Sequence, residues 1–304
     1  MKIKTILIPT SSLLFTLLAT SCAGDRSEEE ILNAKDTIQI SVDVPKESPE
    51  YEIFFQVPSP GEMLSFIKSV GKRDKSKINI LNATENINKY TDEKSKALNF
   101  GIYSTDLSYC SIFNLGSESI KYFKVVKQLG DQLGLSATIK PEILARIEKN
   151  IDNTDSLVVI TDDLYYSSFG TLEEGKQGNV LALMVAGGWL ESVYIAINMV
   201  DKFQKDNPVV QRIADQKYTL ENLIQFLKKH EESSPDVKQV KADLEELMKS
   251  FNLLKEEKIS NTTLKQEGSK KLIGGGINLV IDEKIFNEIK TKVLKLRNNY
   301  TQNQ

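Results

Sequence analysis

One histidine and two cysteines are present in 304 residues, and each scarcity closes off a class of chemistry. With His230 alone, a zinc site built from several histidines lacks its ligands, and a Ser-His-Asp triad is disfavoured. His230 sits in Lys228-Lys229-His230-Glu231-Glu232. That is the polar end of an expected helix, where cations suit the C-terminal dipole, so the residue reads as a cap rather than a catalyst. Charge of one sign is also lacking: 39 basic and 42 acidic residues leave a net charge of −3. No basic patch of the kind a nucleic-acid binder needs is present, so no nucleic-acid partner is expected. No repeat of fixed period is found, which argues against a solenoid. The acidic pairs Asp162-Asp163 and Glu173-Glu174 lack the spacing of a calcium loop and read as a solvated face or a helix start. No cofactor and no metal are expected.

What is present begins at the N-terminus. Lys2 and Lys4 precede Ile6–Leu18, a mostly apolar stretch of 13 residues, and then the small residues Ala19, Thr20 and Ser21 lead to Cys22. A basic start, a short apolar run and small residues make a secretory signal peptide over residues 1–21. The apolar run is short of the ~20 residues needed to span a bilayer. A Cys straight after the small residues resembles the lipobox of bacterial lipoproteins, although Ala19 stands where that pattern favours Leu. The resemblance implies lipid attachment at Cys22 and, because several acyl chains hold where one does not, a stable membrane anchor. Cleavage by ordinary signal peptidase, releasing the chain, is the other reading. If Cys22 is acylated, Cys110 has no disulfide partner and the core alone stabilises the fold. Ala23, in place of an Asp, tilts the address towards the outer membrane. Asp25, Glu28, Glu29 and Glu30 are similar to a surface-export signal of some Bacteroidota lipoproteins, or form a solvated tether.

Residues 22–50 are polar and read as a flexible, lipidated tether, with one exception. Ile38, Ile40, Val42 and Val44 alternate with polar residues as a strand does, and Ile53–Val57 offers a second short β segment. A single helical domain is expected over 51–304. Ser59-Pro60-Gly61-Glu62 has capping-box spacing, and Met63, Phe66, Ile67 and Val70 follow at helical period before Gly71. Ile80, Leu81, Ile87 and Tyr90 anchor a short polar segment. Helices follow around 98–113, from a Ser117 cap, from Pro141, over about 154–173 and over Asn179–Asp201. The segments Pro208–Ile213, Leu220–Leu227, Val237–Leu254 and Lys284–Leu296 are amphipathic. The expected class is all-α, an antiparallel multi-helix array with short loops. Residues 258–281, which include Gly274-Gly275-Gly276, are the least helical part. That glycine run lacks the Gly-Lys-Ser/Thr of a phosphate loop and reads as a turn.

Two segments carry misplaced polarity. Tyr103, Asp106, Tyr109 and Cys110 share one helix face among apolar neighbours, so Asp106 needs a partner such as a tyrosine hydroxyl. Val180–Val200 has one charged residue in 21, Glu191. Its length permits a transmembrane helix, but a central Glu and Gly187-Gly188 favour a helix buried by its neighbours, with the glycines admitting close approach. Trp189 and Glu191 would then need partners inside the array. The economical expectation is that the two helices pack and share a polar cluster of Tyr103, Asp106, Tyr109, Trp189 and Glu191. Ser65-Phe66-Ile67-Lys68 matches the S-x-x-K of penicillin-recognising enzymes, but its companion motifs are missing and helix packing explains Phe66 and Ile67.

The segments Gly101–Tyr109 and Gly187-Gly188-Trp189-Leu190-Glu191 resemble a family of uncharacterised helical lipoproteins from Bacteroidota. That resemblance implies an envelope location and an all-α fold, and nothing chemical. The leading expectation is a non-enzymatic, lipid-anchored envelope protein that binds an envelope partner or serves as an accessory component. Second comes a small-ligand carrier with a pocket near Asp106, Tyr109, Trp189 and Glu191. An enzyme using those carboxylates is third.

Overall fold

Polar residues set just before apolar periodicity start most of the helices. In the computed structural model, which describes residues 59–70, 75–258, 266–267, 270–271 and 277–302, Ser59 Oγ accepts the Glu62 N–H at the start of α1 (Pro60–Val70). Asp92 caps α2 (Glu93–Ile112) by accepting the Ser95 N–H at 2.8 Å. Asn153, Asn207, Ser234 and Asp282 do the same for α5 (Thr154–Glu174), α7 (Pro208–Lys228), α8 (Pro235–Phe251) and α9 (Glu283–Thr301). Between them lie α3 (Gly116–Gln132), α4 (Pro141–Lys149) and α6 (Gly178–Asn198). Two 3-10 helices, Lys75–Ile80 and Thr84–Lys89, form the segment before α2. The lipid attachment expected at Cys22, and the signal segment, the tether, the β segments over 38–57 and the Gly274–Gly276 turn expected from the sequence, all lie outside the described residues.

Two expectations are corrected and a third is refined. Ser117 does not cap α3; that helix begins earlier, with Leu115 at the cap position and no side-chain cap. The reason is the end of α2, where Asn114 turns left-handed (φ 59°) and the Leu115 N–H returns to Cys110 O at 2.7 Å, leaving no room for a capping residue further on. Pro208–Ile213 and Leu220–Leu227 are one continuous helix. The weakly helical region contains strands: β1 (Lys255–Lys258) pairs antiparallel with β4 (Ile277–Val280), and β2 (Gln266–Glu267) with β3 (Lys270–Lys271). The fold is an antiparallel, predominantly helical array with these short ribbons, not closed into a barrel.

Helices α2 and α6 cross at the centre, with α3 and α5 packed on α2 and with α7 and α9 on α6. The crossing is backbone on backbone. A Cβ added at Gly101 would lie 2.0 Å from Met184 O, and one at Gly187 would lie 2.0 Å from Leu98 O. Thr105 Oγ1 donates to Gly188 O at 3.2 Å across the same contact. Helix α6 is long and apolar enough to cross a membrane by length and composition, yet 94% of its apolar window is buried inside the protein. Its neighbours supply the apolar surroundings that a bilayer otherwise would.

Candidate functional site

The α2–α6 crossing brings the two carboxylates together. Asp106 and Glu191 are both 0% exposed, and their carboxyl groups lie within hydrogen-bonding reach of each other. Their donors come from far along the chain. Arg297, on α9, donates Nε to Glu191 Oε2 and Nη2 to Oε1, each at 3.0 Å. Its guanidinium also lies over the Tyr194 ring, 4.5 Å from the centroid. Asp106 Oδ2 accepts the backbone N–H of Asn82 at 3.1 Å.

Around this triad the segment Ile80–Ala83 is tied down by buried hydrogen bonds. Ile80 O accepts from Arg297 Nη2 at 3.4 Å, Asn82 O from the Tyr122 hydroxyl at 3.1 Å, and Ala83 O from the Tyr103 hydroxyl at 2.7 Å. The Asn82 side chain donates to the Tyr90 hydroxyl and to Asn99 Oδ1. Tyr90 and Asn99 then donate to Thr301 O and Tyr300 O, which fixes the last turn of α9. Buried backbone groups outside regular helix need such partners, and here tyrosines and asparagines supply them.

The electrostatics follow from the burial. Burial, then Glu191, holds the Asp106 carboxyl well above the usual carboxylate range, while Arg297 pulls it back. Burial opposes the Arg297 charge, and Glu191 together with Asp106 outweighs that, so the guanidinium stays protonated. Burial also pushes the Tyr103 and Tyr122 hydroxyls and the Cys110 thiol upwards. A thiol so placed is inert as a nucleophile.

The remaining expected members of the cluster sit elsewhere. Trp189 points towards α7, where its Nε1 donates to Gln216 Oε1 at 3.1 Å, so it is not the partner of Glu191. Tyr109 stacks on Phe113 with ring centroids 4.4 Å apart. Tyr103 touches the cluster through Ala83, not through Asp106. Arg297, Asn82, Asn99 and Tyr122 carry no signal in the sequence that marks them as partners, and Tyr90 reads there only as an apolar anchor. Three surface clefts of about 400, 340 and 270 Å³ are lined respectively by Asp92 and Asp243, by Asn114 and Asp152, and by Glu246 and Lys292, with their neighbours. None of the three reaches Asp106, Tyr109, Trp189 or Glu191.

Other singled-out residues have packing roles. The His230 ring covers the start of α6, where a Cβ at Gly178 would meet it at 2.4 Å, and it stands edge-on to Phe226. Its backbone N–H donates to Leu227 O just past the end of α7. On α1, Phe66 lies under Arg212 and Ile67 is in the core, which accounts for the spacing of Ser65 and Lys68. Asp162 does not start a helix; it is inside α5, half-buried, with Oδ1 against the Gly61 backbone. Burial, then Glu62 and Asp163, pushes its carboxyl up to about 6. Asp163 instead faces Arg146 of α4 at 3.8 Å. Among the described residues no group of three or more His, Cys, Asp or Glu is placed to hold a metal ion.

Comparison with known protein families, curated proteins and solved structures finds no match. The chemistry of the central triad must therefore be read from its own geometry. Both Glu191 oxygens are committed to Arg297, and the cluster is enclosed by side chains of the same chain. In this arrangement the charges act on the fold, joining α2, α6, α9 and the Ile80–Ala83 segment.

Proposed function

We propose that this is a lipid-anchored, non-enzymatic protein of the bacterial cell envelope that acts through its outer surface, as a binding or accessory component. The anchor rests on the basic, apolar and small-residue sequence ending at Cys22. The observation that carries the non-enzymatic reading is the bidentate bond from Arg297 to Glu191: the most polar group in the core is already satisfied by the chain itself. Catalytic carboxylates must reach a substrate proton directly or through one water, and Asp106 and Glu191 are fully enclosed. The location is the outer membrane, on the grounds of Ala23 after the cysteine.

Labelled fatty acid should enter the full-length protein in cells, and Cys22→Ser should abolish labelling and move the protein from the membrane to the soluble fraction. Unchanged labelling in that variant would overturn the anchor. The convergence of Asp106 and Glu191 favours one rival reading, a small-ligand carrier with an interhelical pocket. Native mass spectrometry of the purified protein decides between them. A co-purified small molecule that is lost in Glu191→Gln would establish the carrier; a bare chain supports the surface-acting reading.

A further inference from the structure

Two carboxyl groups and one guanidinium share the buried centre of the molecule. Arg297 occupies both oxygens of Glu191 with two donors. Asp106 accepts the Asn82 N–H through Oδ2, but its Oδ1 is completely enclosed and accepts from no donor among the described residues. That same carboxyl reaches Glu191. Two adjacent carboxylates repel, and an enclosed oxygen without a partner is strongly unfavourable. A proton on Oδ1 resolves both: the orphan acceptor becomes a donor to Glu191, and the triad becomes electrically neutral.

The groups facing Asp106 from each neighbouring element offer no alternative neutraliser. They are Glu191 and Tyr194 of α6, Arg297 of α9, Tyr122 of α3, Tyr90 of the preceding segment, and Tyr103 and Cys110 of α2 itself. Arg297 is the single cation among these, and Glu191 already holds it.

We infer that Asp106 carries a proton on Oδ1, donated to Glu191, and that this proton pins the Ile80–Ala83 segment over the core as an alkaline-labile latch. The segment is held by single hydrogen bonds from Arg297, Tyr122 and Tyr103 and by its own Asn82 N–H on Asp106. Loss of the proton places a second negative charge against one guanidinium. The new carboxylate then requires water, and water enters by displacing this irregular segment rather than a helix.

Infrared spectroscopy of the purified full chain tests the proton. A protonated-carboxyl carbonyl band should be present at neutral pH, move on 13C labelling of aspartate side chains and not of glutamate, and vanish in Asp106→Asn. Absence of the band, or movement with the glutamate label, overturns the assignment. Asp106→Asn keeps a donor towards Glu191 and an acceptor for Asn82, so it mimics the closed latch permanently. Amide exchange, corrected for intrinsic rates, should show Asn82 in the wild type losing up to about tenfold in protection per pH unit as the pH rises from the ordinary carboxylate range towards the pH at which the band is lost, levelling off beyond it, and staying flat in Asp106→Asn. Equal protection in both proteins across that range overturns the latch.

Discussion

Arg297 grips Glu191 with Nε and Nη2, both at 3.0 Å, across 106 positions of chain. The pair joins the C-terminal helix α9 to the central helix α6, and Arg297 reaches on to Ile80 O. A buried ion pair is seldom a large net stabiliser against an apolar replacement, but removing one partner leaves an uncompensated charge. The pair therefore acts as a condition for docking α9. Glu191 inside an otherwise apolar helix is accommodated only when α9 is in place.

The backbone contact between α2 and α6 gives a steric prediction. Gly101→Ala would put a Cβ 2.0 Å from Met184 O, so the helices must separate. Overpacking of a close-packed core costs about 1–3 kcal/mol, and backbone cannot yield as a side chain does, so a loss of ~3 kcal/mol or more is expected in urea unfolding. Gly170→Ala in α5 is the control, with nothing within 4 Å of the added Cβ. There the helix should gain about 0.5–1 kcal/mol.

Stability should depend on Asp162 at mildly acid pH. Its carboxyl is pushed up from 3.8 to about 6, by burial first and then by Glu62 and Asp163. The folded state thus holds this proton more tightly than the unfolded state. The resulting stabilisation is complete below about 4, is lost as pH rises to about 6, and changes no further above that. Urea unfolding from pH 4 to pH 8 should show Asp162→Asn lacking this decline and exceeding the wild type in stability at pH 7.

Trp189 reports on the α6–α7 contact. Its Nε1 is the donor to Gln216 Oε1, and Gln216 is only 2% exposed. Trp189→Phe keeps an aromatic ring but orphans that oxygen, at about 1–3 kcal/mol. Circular dichroism through thermal unfolding measures the loss, and Gln216→Met in the same background should recover part of it.

The helices were legible because their signals are local. Ser59 caps the turn it precedes, as its capping-box spacing predicts, and the apolar period of residues 59–70 or 235–251 is set by one buried face. Asp106 and Glu191 were legible as anomalies, since each is a lone charge among apolar neighbours, and Gly187 marked the close approach. Their partners were not. Arg297 lies in an amphipathic helix rich in lysine, where one more cation looks like solvated surface, just beyond the apolar pattern that ends at Leu296. Asn82 reads as an ordinary loop residue. Trp189, next but one to Glu191 in sequence, points to α7 because residues two apart on a helix face different ways. The β1–β4 ribbon was missed because Lys255-Glu256-Glu257-Lys258 has no apolar alternation; its pairing is set by Ile277–Val280 opposite.

A double-mutant cycle on Glu191 and Arg297 tests the central cluster most directly. Glu191→Gln and Arg297→Met should each destabilise the protein by about 3–5 kcal/mol in denaturant unfolding, because each strands a buried partner. The double variant should lose far less than the sum, with a coupling of at least ~2 kcal/mol. Single losses below about 0.5 kcal/mol that simply add would mean that both groups are solvated, and the internally satisfied core would be contradicted.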